Sequence, residues 1–244
     1  IEDGRIQGGQ LFDIFTNPLA VRGGNVDGNG LGSLFFRWVH VDSRFEVYGE
    51  WGREDHAWDL NDALSEPNHS QGWTLGLVNA APLSGGWLKL STEITNLHTT
   101  ESGVVYRGVP RWYVHSDVRQ GHTHRGQLLG SWVGPGSDAQ FAAIDWFGDA
   151  SRIGVFVERV RWDEDGYRVH HAQAYGFHGH DVELTSGVRY GRRFGDFTVD
   201  GTVAGALRRN RNFLNLDGVS WDFPWRSNGH AELLVGWTAG GGRR

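Results

Sequence analysis

The chain has no cysteine and no methionine among its 244 residues, and only six prolines. Without cysteine there is no disulfide and no thiolate metal site, and the redox compartment is left unmarked. Without methionine, Ile1 is not a natural start, so the chain is read as processed or truncated, with any signal peptide out of view. No apolar run reaches the ~18 residues of a membrane-spanning helix, a lack that leaves a membrane β-barrel open because its strands alternate instead. Basic charge is also short. With 23 Lys and Arg against 29 Asp and Glu, the net charge is −6, which argues against a general nucleic-acid binder and its basic stripe. No Walker A loop, dinucleotide fingerprint or G-x-S-x-G elbow occurs, and no cofactor is expected.

What is present in quantity is glycine (37) and tryptophan (12), together with segments of period two. Leu88, Leu90, Thr92 and Ile94 oppose Lys89, Ser91, Glu93 and Thr95, the pattern of a strand with two unlike faces. The same alternation runs through 182–190, 197–207 and 231–237, and less regularly through Leu34–Val41, Phe45–Trp51, Trp73–Val78, Phe141–Phe147 and Ile153–Val160. About nine strands are expected, each near the ~9–11 residues that cross a tilted bilayer. A short helix is possible at Asp59–Ser65.

A soluble sandwich would show the same alternation, so the connections decide. Short turns fall at Asp42-Ser43, Ala80–Gly85, Gly148–Ser151 and Gly195-Asp196, and long polar connections at Gly52–Gly72, Leu97–Asp138, Asp163–Asp181 and Asn210–Gly229. Short and long alternate along the strands, provided that Leu97–Asp138 holds no crossing strand. All long loops then share one side. That is the layout of an outer-membrane barrel, and tryptophans near strand ends suit its interfacial girdles. The expected fold is therefore all-β: an antiparallel transmembrane β-barrel in one domain (1–244), with 1–30 as a lead-in loop and 98–138 as a long inserted loop. Nine is an odd and small number of strands for such a barrel, so the chain reads as the C-terminal half of a larger one.

The densest chemistry lies in the inserted loop, where GHTHRGQLLGSWVGPGS occupies 121–137. His115, His122 and His124 offer three imidazoles, but their spacing matches no established metal motif, and no metal is expected. Tyr113, Trp112, Trp132, Arg125, Gln127 and the histidines fit a saccharide better. Aromatic faces stack on sugar C–H patches and planar polar groups bond hydroxyls, while glycine lets the backbone approach closely. The neighbouring loop adds Arg53 and Trp58. On the inner side of the second strand, acids such as Glu46 and Glu50 could in principle serve as paired glycosidase carboxylates, but nothing in the sequence makes such a pair specific, because acids are expected along any polar lumen. Arg208, Arg209 and Arg211 cluster at a strand end on the loop side, where they could hold acidic sugars or lipopolysaccharide phosphates.

The run WYVHSDVRQGHTHRGQLLGSWVGPGS resembles the signature region of the capsule-assembly Wzi family, supported by FEVYGEWGREDHAWDL and HDVELTSGVRYGRRFGDF. The likeness covers most of residues 31–238. His115, Gly121, Thr123, His124, Arg125, Gly126, Gln127, Gly130, Gly134, Pro135, Gly136 and Ser137 match the motif, and His122 departs from it where the family tends to have an aromatic residue. The resemblance implies an outer-membrane barrel, longer in the family, that acts as a non-catalytic lectin retaining capsular polysaccharide. It implies as partners a capsular or other surface polysaccharide and the outer-membrane lipid or lipopolysaccharide, with no nucleic acid, and a monomer. Two alternatives remain. One is a porin-like channel in which Leu97–Asp138 folds inward as a constriction; the other is a glycoside hydrolase working through lumen carboxylates.

Overall fold

A computed structural model describes residues 31–54, 60–100, 104, 112–114, 121–172, 179–213 and 223–237. Nine long strands form one antiparallel sheet: β1 (Leu31–His40), β2 (Phe45–Glu54), β3 (Gln71–Leu83), β4 (Gly86–Asn96), β7 (Asp138–Phe147), β8 (Ser151–Trp162), β9 (Asp181–Phe194), β10 (Phe197–Arg209) and β11 (Trp225–Trp237). Their order across the sheet is their order along the chain. Each expected strand is present, most of them longer than the alternating segment that announced it. The inserted loop adds only a miniature hairpin, β5 (Thr123–His124) with β6 (Gln127–Leu128), so among its described residues no strand joins the large sheet. Among the described residues, two short helices lie in the other long connections: α1 (Leu60–Ser65), at the expected place, and α2 (Glu164–His170), which alternation did not announce.

The fold is all-β, and the sheet is open among the described residues, because β1 and β11 each pair with a single neighbour. Tight turns close one end of the sheet and all long connections leave from the other, as the alternation of short and long connections requires.

The two faces differ because side chains alternate along each strand. Register carries one apolar row across six strands, Leu90–Ile144–Val155–Val188–Val203–Ala231. Most of this outer face is exposed, with Val203 at 65% and Leu233 at 70%. The inner face is ionic. Arg37 holds Glu46 through two bonds of 2.7 and 2.9 Å, Arg189 grips Asp145, Arg208 grips Asp181, and the Tyr48 hydroxyl donates to Glu93 at 2.6 Å. The bidentate Arg–carboxylate pairs fix their side chains on this face.

The apolar core sits at the loop end, not between layers of sheet. Leu97, Trp112, Tyr113, Val133, Ala139 and Val160 form it, with Leu31, Leu128 and Trp162 packed around. The insert supplies its centre, and β1, β7 and β8 supply the wall.

Candidate functional site

The insert is anchored before it offers anything outward. Trp112 and Tyr113 are 4% and 7% exposed. Room for the indole exists because β2 and β3 carry glycine there: a Cβ at Gly72 would lie 2.5 Å from Leu97 and 2.8 Å from Trp112, and one at Gly52 would lie 3.1 Å from Trp112. The Tyr113 N–H donates to both oxygens of Glu54 at 3.1 and 3.0 Å, and Glu54 is itself buried at the end of β2. The Tyr113 hydroxyl accepts from the Ser131 N–H at 3.1 Å, and the Tyr113 ring stacks on His122 at 5.8 Å. Burial pushes the Tyr113 phenol up, and the Glu50 and Glu54 carboxylates add to it, while the Ser131 bond pulls the other way.

From this platform the chain runs out to the β5–β6 hairpin and back. The His122 N–H donates to the Tyr113 carbonyl, and the Leu129 N–H to the His122 carbonyl, both at 2.9 Å. At the tip His124 faces Gln127 across the pair, with Arg125 and Gly126 between them at φ of 50° and 80°. Two positive values in a two-residue loop are the mark of a type I′ turn, which ordinarily takes Asn-Gly or Asp-Gly. Arginine there is strained, and such outliers gather where a side chain is put to use. His124, Arg125 and Gln127 are exposed, and Arg125 has no hydrogen-bond or ionic partner among the described residues.

The second half of the motif does something different. In Gly134-Pro135-Gly136-Ser137 the two glycines take φ of 73° and 66°, and Gly136 and Ser137 are buried. The Ser137 hydroxyl donates to the Pro135 carbonyl and accepts from the Asp163 N–H, and the Glu164 N–H donates to the Gly136 carbonyl at 2.6 Å. This turn ties the insert to α2. Glu164, 2% exposed, there binds Arg168, His180 and Arg161 at 3.0, 2.7 and 3.5 Å. Burial raises the Glu164 carboxyl, but the His180 bond and the neighbouring arginines outweigh it and hold it low. Asp165, fully buried, accepts the Thr99 N–H and hydroxyl; burial dominates and pushes it up.

Of the residues expected at the site, Tyr113, His122, His124, Arg125 and Gln127 are brought into one unit. Tyr113 and His122 form its base, and the other three form its tip. Arg53 lies apart on β2, with its side chain on the face opposite Glu54. His115 and Trp58 lie outside the described residues. The arginine cluster is divided: Arg208 points inward to Asp181, Arg209 stacks over Phe223 at 5.0 Å, and Arg211 sits in a short 3-10 turn. Sequence reasoning missed the buried acids of α2. Their one signal was Asp163 ahead of Glu164 and Asp165, since the Asp163 side chain does cap the helix by accepting from the Gly166 N–H.

Beneath the insert a cavity of about 700 Å³ opens against β1–β4, walled by Arg37, Glu50, Glu93, Trp112, Tyr113 and His122. Among the described residues no three His, Asp or Glu side chains converge as metal ligands. Likewise, no helix is long and apolar enough to cross a membrane, which says nothing of crossing by strands.

Residues 12–213 match the family described as Capsule assembly protein Wzi. The chain belongs to that family. The match takes in β1 to β10 and the whole insert, so the tip and its anchor lie inside the family's shared region. Wzi-family proteins are outer-membrane proteins of capsule assembly. No curated protein and no solved structure matches the chain.

Proposed function

We propose that this Wzi-family chain forms a wall of an outer-membrane β-barrel and uses the tip of its insert to hold a capsular or related surface polysaccharide without cutting it. The carrying observation is the hairpin tip. It presents an arginine in a strained turn, flanked by exposed His124 and Gln127, on a base locked by Trp112, Tyr113 and Glu54. A rigid base under exposed planar donors lowers the ordering cost of gripping a flexible polymer.

The outer face supports the membrane part of the reading. Trp225 and Trp237 end β11, a 13-residue strand. At ~3.3 Å per residue and a tilt of ~40°, that strand covers roughly 30 Å, close to the thickness of a hydrocarbon core. Trp51, Trp73 and Trp225 stand toward the loop end of this face, and Trp38, Trp146 and Trp237 toward the turn end. The one-sided loops then face outward from the cell, where surface polymer is met.

Two features support a binding role over hydrolysis. Glu46 and Glu50 stand four residue steps apart along the strand, about 13 Å of backbone, against the ~5–9.5 Å between paired glycosidase carboxylates. Glu46 is also already committed to Arg37. The test is equilibrium binding of purified capsular polysaccharide to the wild type, Arg125→Ala and Gln127→Ala. A loss of about tenfold in Arg125→Ala, worth ~1.4 kcal/mol, is expected. Wild-type affinity in both variants would remove the tip from the account, and release of reducing sugar would overturn the non-catalytic reading.

A further inference from the structure

Above the apolar belt the outer face carries a row of arginines. Register aligns Asp138, Arg161, Val182, Arg209 and Trp225 across β7 to β11. One step toward the turns come Gln140, Arg159, Leu184, Leu207 and Ser227, then a row of mostly small residues (Ala142, Val157, Ser186, Gly205 and Gly229), and then the apolar row of Ile144, Val155, Val188, Val203 and Ala231. Arg159 and Arg161 converge on a single carboxylate, Asp138, at 2.8 and 2.6 Å. Glu164 lies 3.5 Å from Arg161 but is shared with Arg168 and His180. Arg209 has no carboxylate partner among the described residues and meets only the Phe223 ring. Three guanidiniums therefore face one carboxylate of their own, and the patch keeps a positive excess. Arg159 is 38% and Arg161 23% exposed, so their free edges remain reachable.

A cationic row over an apolar wall is complementary to an amphiphile with an anionic head. Guanidinium suits phosphate because its planar fork donates in pairs. Arg161 and Arg209 flank Val182, two inter-strand spacings apart, about 10 Å between backbones. That spread suits two phosphates on one head better than a single phosphate.

We propose that Arg159, Arg161 and Arg209 form a seat for the bisphosphorylated glycolipid of the surrounding outer leaflet, with its acyl chains along Leu184, Leu207 and Val203. The seat rests on the membrane placement proposed above but is independent of glycan capture at the tip. It would pin the barrel's height and rotation in the leaflet, and so hold the insert's tip at a fixed distance above it.

The test titrates the full chain in non-ionic detergent micelles with bisphosphorylated lipid A, monophosphorylated lipid A and phosphatidylglycerol, reading bound lipid by native mass spectrometry. The wild type should prefer the bisphosphorylated lipid about tenfold over the monophosphorylated one. Arg209→Gln should cut that preference to less than twofold, and Arg209→Lys should keep most of it. Arg192→Gln, which removes an equal charge at the turn end, should leave it unchanged. Arg159 and Arg161 are left intact because their loss would strand the buried Asp138. Equal affinity of the wild type for all three lipids, or an unaltered preference in Arg209→Gln, would overturn the seat alone. A wild type that stays monodisperse without detergent would overturn the seat and the membrane placement together.

Discussion

The two ends of the sheet are built on opposite principles. At the turn end, strands are joined by connections as short as Ser84-Gly85 and Gly195-Asp196. At the loop end stand the most deeply buried side chains, including Tyr167, Phe223, Glu164, Val133, Asp165 and Asp181. A soluble sandwich would bury its mid-strand residues between layers. This chain leaves Val203 and Leu233 exposed and packs its core around Trp112 and Tyr113. The difference separates two jobs: the wall offers apolar surface to its surroundings, and the loop end folds into a compact cap that can carry a site.

The largest expected effect comes from removing the anchor of the cap. Trp112→Ala should cost about 3–5 kcal/mol, seen as lost amide protection across 121–137 with little change along β9–β11. Uniform loss over all strands would mean that cap and wall are one unit. Next, Glu164→Gln should cost about 2 kcal/mol at neutral pH. That is less than the ~3–5 of a fully buried pair, because Arg168 and His180 keep about a quarter of their surface. The sign with pH follows from the depressed Glu164 carboxyl. Its contribution is present above the ordinary glutamate value near ~4.3 and fades as pH falls through its lower folded value. Asp165, raised by burial, opposes this, its contribution fading as pH rises. Acid titration of cap stability should therefore flatten in Glu164→Gln. A smaller effect, about 1–3 kcal/mol, is expected for Gly72→Ala, whose methyl would press on Leu97 and Trp112; thermal unfolding checks it. Least of all, Arg125→Ala should change stability by under ~0.5 kcal/mol. Any loss of polysaccharide binding in that variant then reports contact and not folding.

The wall was legible in the sequence because its signal is local. Period two survives in nearly every strand, and each turn falls where short polar or glycine-containing runs interrupt it. Even α1 could be placed, at Leu60–Ser65. The cap was legible only as composition. Trp112 and Tyr113 read as sugar-stacking aromatics, yet they are core; what buries them is space left by Gly52 and Gly72 on strands 40 or more residues away, a relation no local pattern carries. The seven residues of α2 are too few for a helical period to show. The tip is a partial exception. Arg125-Gly126 between His124 and Gln127 is a hairpin signal in hindsight, masked because arginine is an uncommon occupant of that turn.

Since the chain has no native cysteine, single cysteines can carry spin labels with no background removal. The most direct test of a lipid-facing wall with a water-facing cap is collisional accessibility in bilayers at Val203→Cys, Thr202→Cys, Leu233→Cys, Glu232→Cys and Arg125→Cys. Preferential contact with apolar oxygen is expected at 203 and 233, and with a water-soluble nickel chelate at 202, 232 and 125. Water-level accessibility at 203 and 233, equal to that at 125, would contradict a lipid-facing wall.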